Sequence, residues 1–227
     1  MQYLGGKSRL AKPISKIINE NRKDGQMFIS LFVGAGSVEQ YIEEPKILND
    51  KHYYLIELYK ALQNKEIELP EYVSEEEYKY IKTHLDENPA IAGFVGFACS
   101  YGGQWFGWYA RNRKGDNYTK RGKKSLEVKI ENGLLKGAML SCEDYTYFKE
   151  EKDCIIYADP PYLNTQGYKL TGKFNHDEFW NNMREMSRNN LIFISESECP
   201  KDFKIVFKKL NTITVDIEHK NKSDKNY

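Results

Sequence analysis

The sequence lacks the features that would place it in several large classes. Its four cysteines, Cys99, Cys142, Cys154 and Cys199, form no CxxC pair, and the chain has only four histidines, none clustered with them. That spacing excludes a zinc site and a disulfide framework, so the cysteines read as buried thiols. No apolar run approaches the roughly 18 residues of a membrane span. The amino terminus, MQYLGGKSRL, has no apolar core of the kind a secretion signal needs, and a cytoplasmic protein is expected. An excess of charge of either sign is also missing: 34 Lys and Arg stand against 33 Asp and Glu, a net +1. Such a chain has no global field for nucleic acid, and any basic footprint must be local.

What is present is 40% hydrophobic and 30% charged, the balance of a globular chain. A length of 227 residues holds one α/β domain with a small insertion. Seventeen tyrosines suit either an aromatic core or stacking on bases.

The most informative stretch runs from Cys154 to Tyr162. Ile155-Ile156-Tyr157-Ala158 reads as a strand buried on both faces that stops at Asp159. Pro160 and Pro161 cannot donate to a sheet ladder and fix the backbone, so the chain leaves the strand stiffly with a carboxylate at its base and Tyr162 beside it. The carboxyl end of a parallel strand is where open α/β sheets bind ligands.

Upstream, Tyr3-Leu4-Gly5-Gly6-Lys7 precedes a helix marked by Leu10, Ile14, Ile17 and Ile18. The two glycines allow close approach of the backbone to a ligand, and Lys7 can reach a carboxylate or phosphate; a plain start to a surface helix is the alternative. Phe28 to Val33 reads as a buried strand, followed by Gly34-Ala35-Gly36 and a short helix from near Ser37. Strand, GxG turn and helix form the nucleotide-binding start of a doubly wound fold; the missing third glycine fits a ligand without phosphates, such as S-adenosylmethionine. Lys46 to Asn49 is the second strand and ends on Asp50, which can accept both ribose hydroxyls of an adenosyl group or can cap the helix from His52 to Gln63. Ser74 to Glu77 is a capping box opening a helix to about Leu85, and Asn88 to Ser100 is an apolar helix.

Residues 101–124 differ from their surroundings. Glycines surround Trp105, Phe106, Trp108 and Tyr109, and then Arg111, Arg113, Lys114, Lys120, Arg121, Lys123 and Lys124 gather against Asp116 alone. With Asn112, Asn117 and Thr119 between them, these cations make a basic loop suited to phosphate contact and base-edge readout, or else a solvated hairpin. A helix marked by Leu126, Ile130 and Leu134 follows. A strand from Ala138 to Cys142 leads to Asp144, which can take the adenine amino group of a cofactor or serve as a turn acid. After the prolines, Leu163 to Lys173 reads as a loop, Asn175 to Ser187 as a helix and Asn190 to Ser195 as a further buried strand. Lys204 to Val215 reads as a terminal hairpin and the last ten residues as a polar tail.

Asp159-Pro160-Pro161-Tyr162 resembles the DPPY tetrapeptide of methyltransferases that act on amino groups. Together with Tyr3 to Lys7, Phe32 to Gly36 and Asp50, it resembles in order and spacing the D12 class of DNA adenine methyltransferases, the Dam-like family, from Tyr3 to about Ser195. The resemblance implies a Rossmann-like doubly wound α/β sheet with a small inserted target-recognition subdomain. The catalytic domain would be residues 1–65 and 136–217, the insert 66–135 and the tail 218–227. It implies cofactor contacts from Tyr3, Lys7, Phe32, Gly34, Gly36, Asp50, Asp144 and Asp159, and a target-base pocket of Asp159, Pro160 and Tyr162. The DNA-binding set is Trp105, Arg111, Arg113, Lys114, Asn117, Lys120, Arg121, Lys123 and Lys124.

The implied reaction transfers a methyl group from S-adenosylmethionine to the amino group of a flipped adenine in double-stranded DNA, leaving S-adenosylhomocysteine and needing no metal. A monomer in the cytoplasm of a bacterium or a phage-infected host is expected. The competing readings are methylation of RNA adenine or of the DNA cytosine amino group, and a catalytically silent DNA-binding homologue.

Overall fold

The structure is a computed structural model that describes residues 6–111, 117–161 and 174–208. Its centre is a five-stranded, wholly parallel sheet of β1 (Phe28–Ser30), β2 (Lys46–Asn49), β3 (Ala138–Ser141), β4 (Ile155–Ala158) and β5 (Leu191–Ile194). The strands lie in the order β3-β2-β1-β4-β5. Winding proceeds outward from β1 in one direction and resumes at β4 in the other, so the order reverses between β1 and β4. This reversal opens a crevice at the carboxyl ends of those two strands.

Both faces of the sheet are covered, which is why its inner strands are apolar without alternation. Phe28, Leu48, Ile155 and Tyr157 point to one face. There they meet α1 (Ala11–Asn21), α2 (Tyr53–Gln63), α4 (Pro89–Ala98) and α5 (Tyr118–Glu131). Ile29, Ile156 and Ala158, one residue out of phase, point to the other face. They pack on Phe179 and Met183 of α6 (His176–Met186) and on Tyr145 and Phe148 of a 3-10 turn. The long connection between β2 and β3 also carries α3 (Glu75–Thr83). Within it α4 lies so close to α2 that a Cβ at Gly93 would stand 2.0 Å from the Tyr54 carbonyl oxygen.

Several local expectations hold. Pro13 lies in the first turn of α1, where its missing N–H is not needed. The capping box forms, with the Ser74 side chain accepting from Glu77 N–H and the Glu77 carboxylate accepting from Ser74 N–H. Asn175 caps α6.

Others need correction. The strand expected to run to Val33 pairs as a ladder only to Ser30, because beyond it Leu31 N–H turns to Tyr157 O (2.9 Å) and Val33 N–H to Asn49 O (2.7 Å). The helix expected from near Ser37 is a single 3-10 turn, Glu39–Tyr41. Asp50 does not cap α2; that place belongs to His52, whose Nδ1 accepts from Leu55 N–H.

The basic loop expected through Lys124 is helical from Tyr118 onward. Asn117 caps α5, and Thr119, Gly122, Leu126 and Lys129 form its buried face. β5 is not buried as expected: among the described residues it pairs with β4 alone, and Leu191 is exposed. Of the four thiols, Cys99 and Cys154 are buried, Cys142 is half-buried and Cys199 is exposed. Residues 204–208 form no strand, and the rest of the expected hairpin, the polar tail and the loop 163–173 lie outside the described residues.

Candidate active site

The crevice between β1 and β4 gathers residues that are far apart in the chain. Asp159 follows β4 directly and is half-buried, its side chain 20% exposed. Pro160 behind it is buried. Lys7, from just ahead of α1, places Nζ 2.6 Å from Asp159 Oδ1, with its own side chain 9% exposed. The ammonium therefore donates to a carboxylate oxygen at the mouth of the crevice.

The turn after β1 lies on the same side. Gly34 and Gly36 both have positive φ, 47° and 62°, which an L side chain rarely adopts and which lets the chain reverse tightly. Asp50, after β2, is buried and braces this turn, its Oδ2 accepting from Gly34 N–H (2.9 Å) and its Oδ1 from His52 N–H (2.9 Å). Each carboxylate oxygen keeps a second lone pair, so Asp50 retains acceptor capacity for hydroxyl groups. A bare, glycine-lined turn beside a buried carboxylate, with no third glycine for a pyrophosphate, fits an adenosyl sulfonium.

A family model for the D12 class of N6 adenine-specific DNA methyltransferases matches residues 3–215. The chain belongs to that family. No curated protein matches it. As a D12 methyltransferase it carries the activity of the class, transfer of a methyl group from S-adenosylmethionine to adenine in DNA, and the parallel sheet is that of the class.

Burial sets the electrostatics of this D12 site. The Asp159 carboxyl is pushed up from its ordinary value to about 6 by loss of solvent, a rise that the Lys7 charge and hydrogen bond oppose. Asp50 is likewise raised to about 6 by burial, against the pull of its two backbone donors. At about 6 the Asp159 carboxyl is mostly ionised at neutral pH and able to accept hydrogen bonds. Phe32 is half-buried among Tyr145, Phe174 and Phe179, on the α6 side of the sheet. Asp144 accepts from Thr146 N–H (3.1 Å) and pairs with Lys51 (2.9 Å). Tyr3 and Tyr162 lie outside the described residues.

The DNA-binding candidates are spread over the insert. Arg111 makes a bidentate pair with Glu75, Nε lying 2.9 Å from Oε2. Lys123 pairs with Glu71 at 2.6 Å, and Lys120 lies 3.8 Å from the same carboxylate. Asn117 spends its amide on Glu71 O and its oxygen on Lys120 N–H. Arg121 and Lys124 are exposed on α5. Arg113 and Lys114 lie outside the described residues.

Trp105 stacks on Tyr54, with centroids 5.4 Å apart, and packs against His52 and Phe97. The outward aromatic of this segment is Trp108, 81% exposed, with Tyr101 beside it in a loop closed by Tyr101 N–H to Trp108 O at 2.8 Å. Sequence reading did not single out Trp108, since nothing in the spacing tells which of two nearby indoles turns inward. Among the described residues no helix is long and apolar enough to cross a membrane.

Proposed function

We propose that the protein methylates N6 of an adenine flipped out of double-stranded DNA at a defined sequence, and that Asp159 and Pro160 hold the target amino group. The observation that carries this reading is the Lys7–Asp159 contact: a nitrogen donor already bonds to the carboxylate at the switch point of the sheet. An aromatic amino group is a poor nucleophile because its lone pair is delocalised into the ring. Acceptors that fix its hydrogens favour a pyramidal nitrogen with the lone pair free to attack. The Asp159 carboxylate and the Pro160 carbonyl supply such acceptors, and Lys7 yields its place on Oδ1 as the base enters. Positioning of this kind accounts for much of the rate.

S-adenosylmethionine, when bound, supplies a methyl group already activated by the sulfonium charge, so no Lewis acid enters the scheme. Gly34 and Gly36 admit its methionine end, Asp50 accepts its ribose hydroxyls, and Tyr3, Phe32 and Asp144 complete its surroundings. A base inside a duplex cannot reach this crevice and has to be flipped; Tyr162, which completes the DPPY motif, stacks on it.

Residues 66–135 serve as the target-recognition region. Arg111, Lys120, Arg121, Lys123 and Lys124 supply phosphate contacts there, with Arg113, Lys114 and Asn117. The ion pairs to Glu71 and Glu75 do not oppose this, since exposed pairs are worth at most about 1 kcal/mol and a phosphate can displace the acid. We add Trp108 to this set as an exposed stacking platform and assign Trp105 to its support. The cytoplasm, where the DNA is, is the site of action.

Methyl transfer to duplex DNA, single-stranded DNA and RNA of mixed sequence, followed by mapping of the modified base, tests the reading. N6-methyladenine confined to one duplex sequence is expected; modified RNA with unmodified DNA would overturn it.

A further inference from the structure

Three side chains from three elements hold the turn between Gly34 and Ala35. Asp50 takes the Gly34 N–H (2.9 Å), the Tyr59 hydroxyl of α2 donates to the Gly34 carbonyl (2.6 Å), and Lys129 of α5 donates to the Ala35 carbonyl (2.6 Å). Tyr59 is fully buried and Lys129 is only 6% exposed. A buried ammonium is costly unless paired and hydrogen-bonded, and this one is spent on a loop carbonyl, near the buried Glu39 carboxyl, which burial itself raises to about 7. The residues after α5 extend the support. A Cβ at Gly36 would lie 2.4 Å from Leu134 Cδ1, and Asn132 donates to Gln40 (2.8 Å), which donates to Ser37 O (2.7 Å).

A trans peptide is planar with C=O and N–H opposed. A Gly34 carbonyl turned inward to Tyr59 therefore sends the Ala35 N–H the opposite way, away from Tyr59. We propose that Tyr59 and Lys129 are positioning residues for the cofactor, locking two successive peptides of the glycine turn in the orientation that receives the methionine end of S-adenosylmethionine. The proposal rests on the assignment of Gly34 and Gly36 to the cofactor site. It also gives α5 a second task. The helix that carries Lys120, Arg121 and Lys124 on its outer side grips the cofactor turn from its last turn.

Without the Tyr59 hydroxyl the Gly34 carbonyl is buried with no donor, and the peptide rotates toward water. The competent fraction of the turn falls, and the apparent Kd rises by the inverse of that fraction. Tyr59→Phe and Lys129→Met should each raise the Kd for S-adenosylhomocysteine, measured by calorimetry on the full chain, about five- to tenfold. The kcat at saturating cofactor and the Kd for DNA should stay within about twofold of wild type.

Tyr78→Phe is the control, because it removes another buried hydroxyl contact, to Ser100 Oγ (2.7 Å), remote from the turn. It should lower the melting temperature and leave the cofactor Kd unchanged. Tyr59→Phe differs from wild type by one oxygen, so it keeps the test readable should Lys129→Met not fold. Amide resonances of Ala35 and Gly36, followed as S-adenosylhomocysteine is added to wild type, report on the underlying assignment. Moving resonances with an unchanged Kd in folded Tyr59→Phe overturn the positioning role alone; resonances that do not move overturn the cofactor assignment and this proposal with it.

Discussion

Replacing Lys7 by Met removes the ammonium from Asp159 Oδ1 while keeping most of the side-chain volume. The pair is tight, 2.6 Å, with both side chains largely shielded from water, so Lys7 is a main influence holding the Asp159 carboxyl down against burial. With Lys7 present that carboxyl titrates at about 6, so at pH 7 about nine-tenths of it is ionised. A contacting cation shifts a carboxyl by about one to three pH units. The acidic limb of kcat/KM for DNA should therefore move from about 6 to between about 7 and 9 in Lys7→Met. At pH 7 the ionised fraction then falls to about a half at best and about a hundredth at worst, and the rate falls with it. Raising the pH restores the carboxylate and with it the activity, because the reacting group is intact. Initial rates of methyl transfer to a duplex library between about pH 5 and about pH 9.5, at saturating cofactor, give the two profiles. A Lys7→Met profile that superimposes on wild type, or a loss that no pH restores, would refute this account of the pair.

Asp50→Asn should lose one of the two backbone bonds, since the amide NH₂ cannot accept, lowering stability by about 1–3 kcal/mol and weakening S-adenosylhomocysteine binding in calorimetry. Because burial raises Asp50 to about 6 in the fold, the native state binds the extra proton. Its contribution to stability is full below about pH 4 and fades as pH rises through about 6, a slope that thermal melts should find flatter in Asp50→Asn. Trp108→Ala should weaken DNA binding by about 1–3 kcal/mol with an unchanged melting temperature. Trp105→Ala should instead cost about 3 kcal/mol of stability in denaturant titrations. Replacing Lys120, Arg121 and Lys124 together by Ala should flatten the slope of log Kd against log salt by about two to three without altering cofactor affinity.

The strands and the DPPY turn were legible because their signals are local. Ile155 to Ala158 is apolar on both faces since the sheet is covered on both, and the prolines end it where they stand. The first turns of α5, residues 118–124, were misread as loop because their polar face dominates the composition. Seven cations among residues 111–124 hide a buried face whose first members, Thr119 and Gly122, are not hydrophobic and whose last, Lys129, is itself a cation. Only packing against Ala98 of α4 makes Gly122 a core position. β5 has the composition of an inner strand yet is last in the order of the described strands, a fact of sheet order that no residue in it records. The site has the same division. Asp159 and the glycine turn could be named from sequence, but the bond between Lys7 and Asp159 spans 152 residues and that between Lys129 and Ala35 spans 94. Pairings at that range are set by topology, not by spacing.

Asp159 carries the catalytic account, and single-turnover methylation of a duplex library by Asp159→Ala tests it most directly, with folding checked by circular dichroism. Loss of one preorganised electrostatic partner costs on the order of 10²–10³ in rate, and a carboxylate that holds the reacting amino group should reach at least that. A folded Asp159→Ala protein that binds DNA as wild type does, yet at saturating cofactor forms N6-methyladenine at least a hundredfold more slowly (~10²), is the predicted result. Methylation of adenine at near the wild-type rate by that variant would contradict the account.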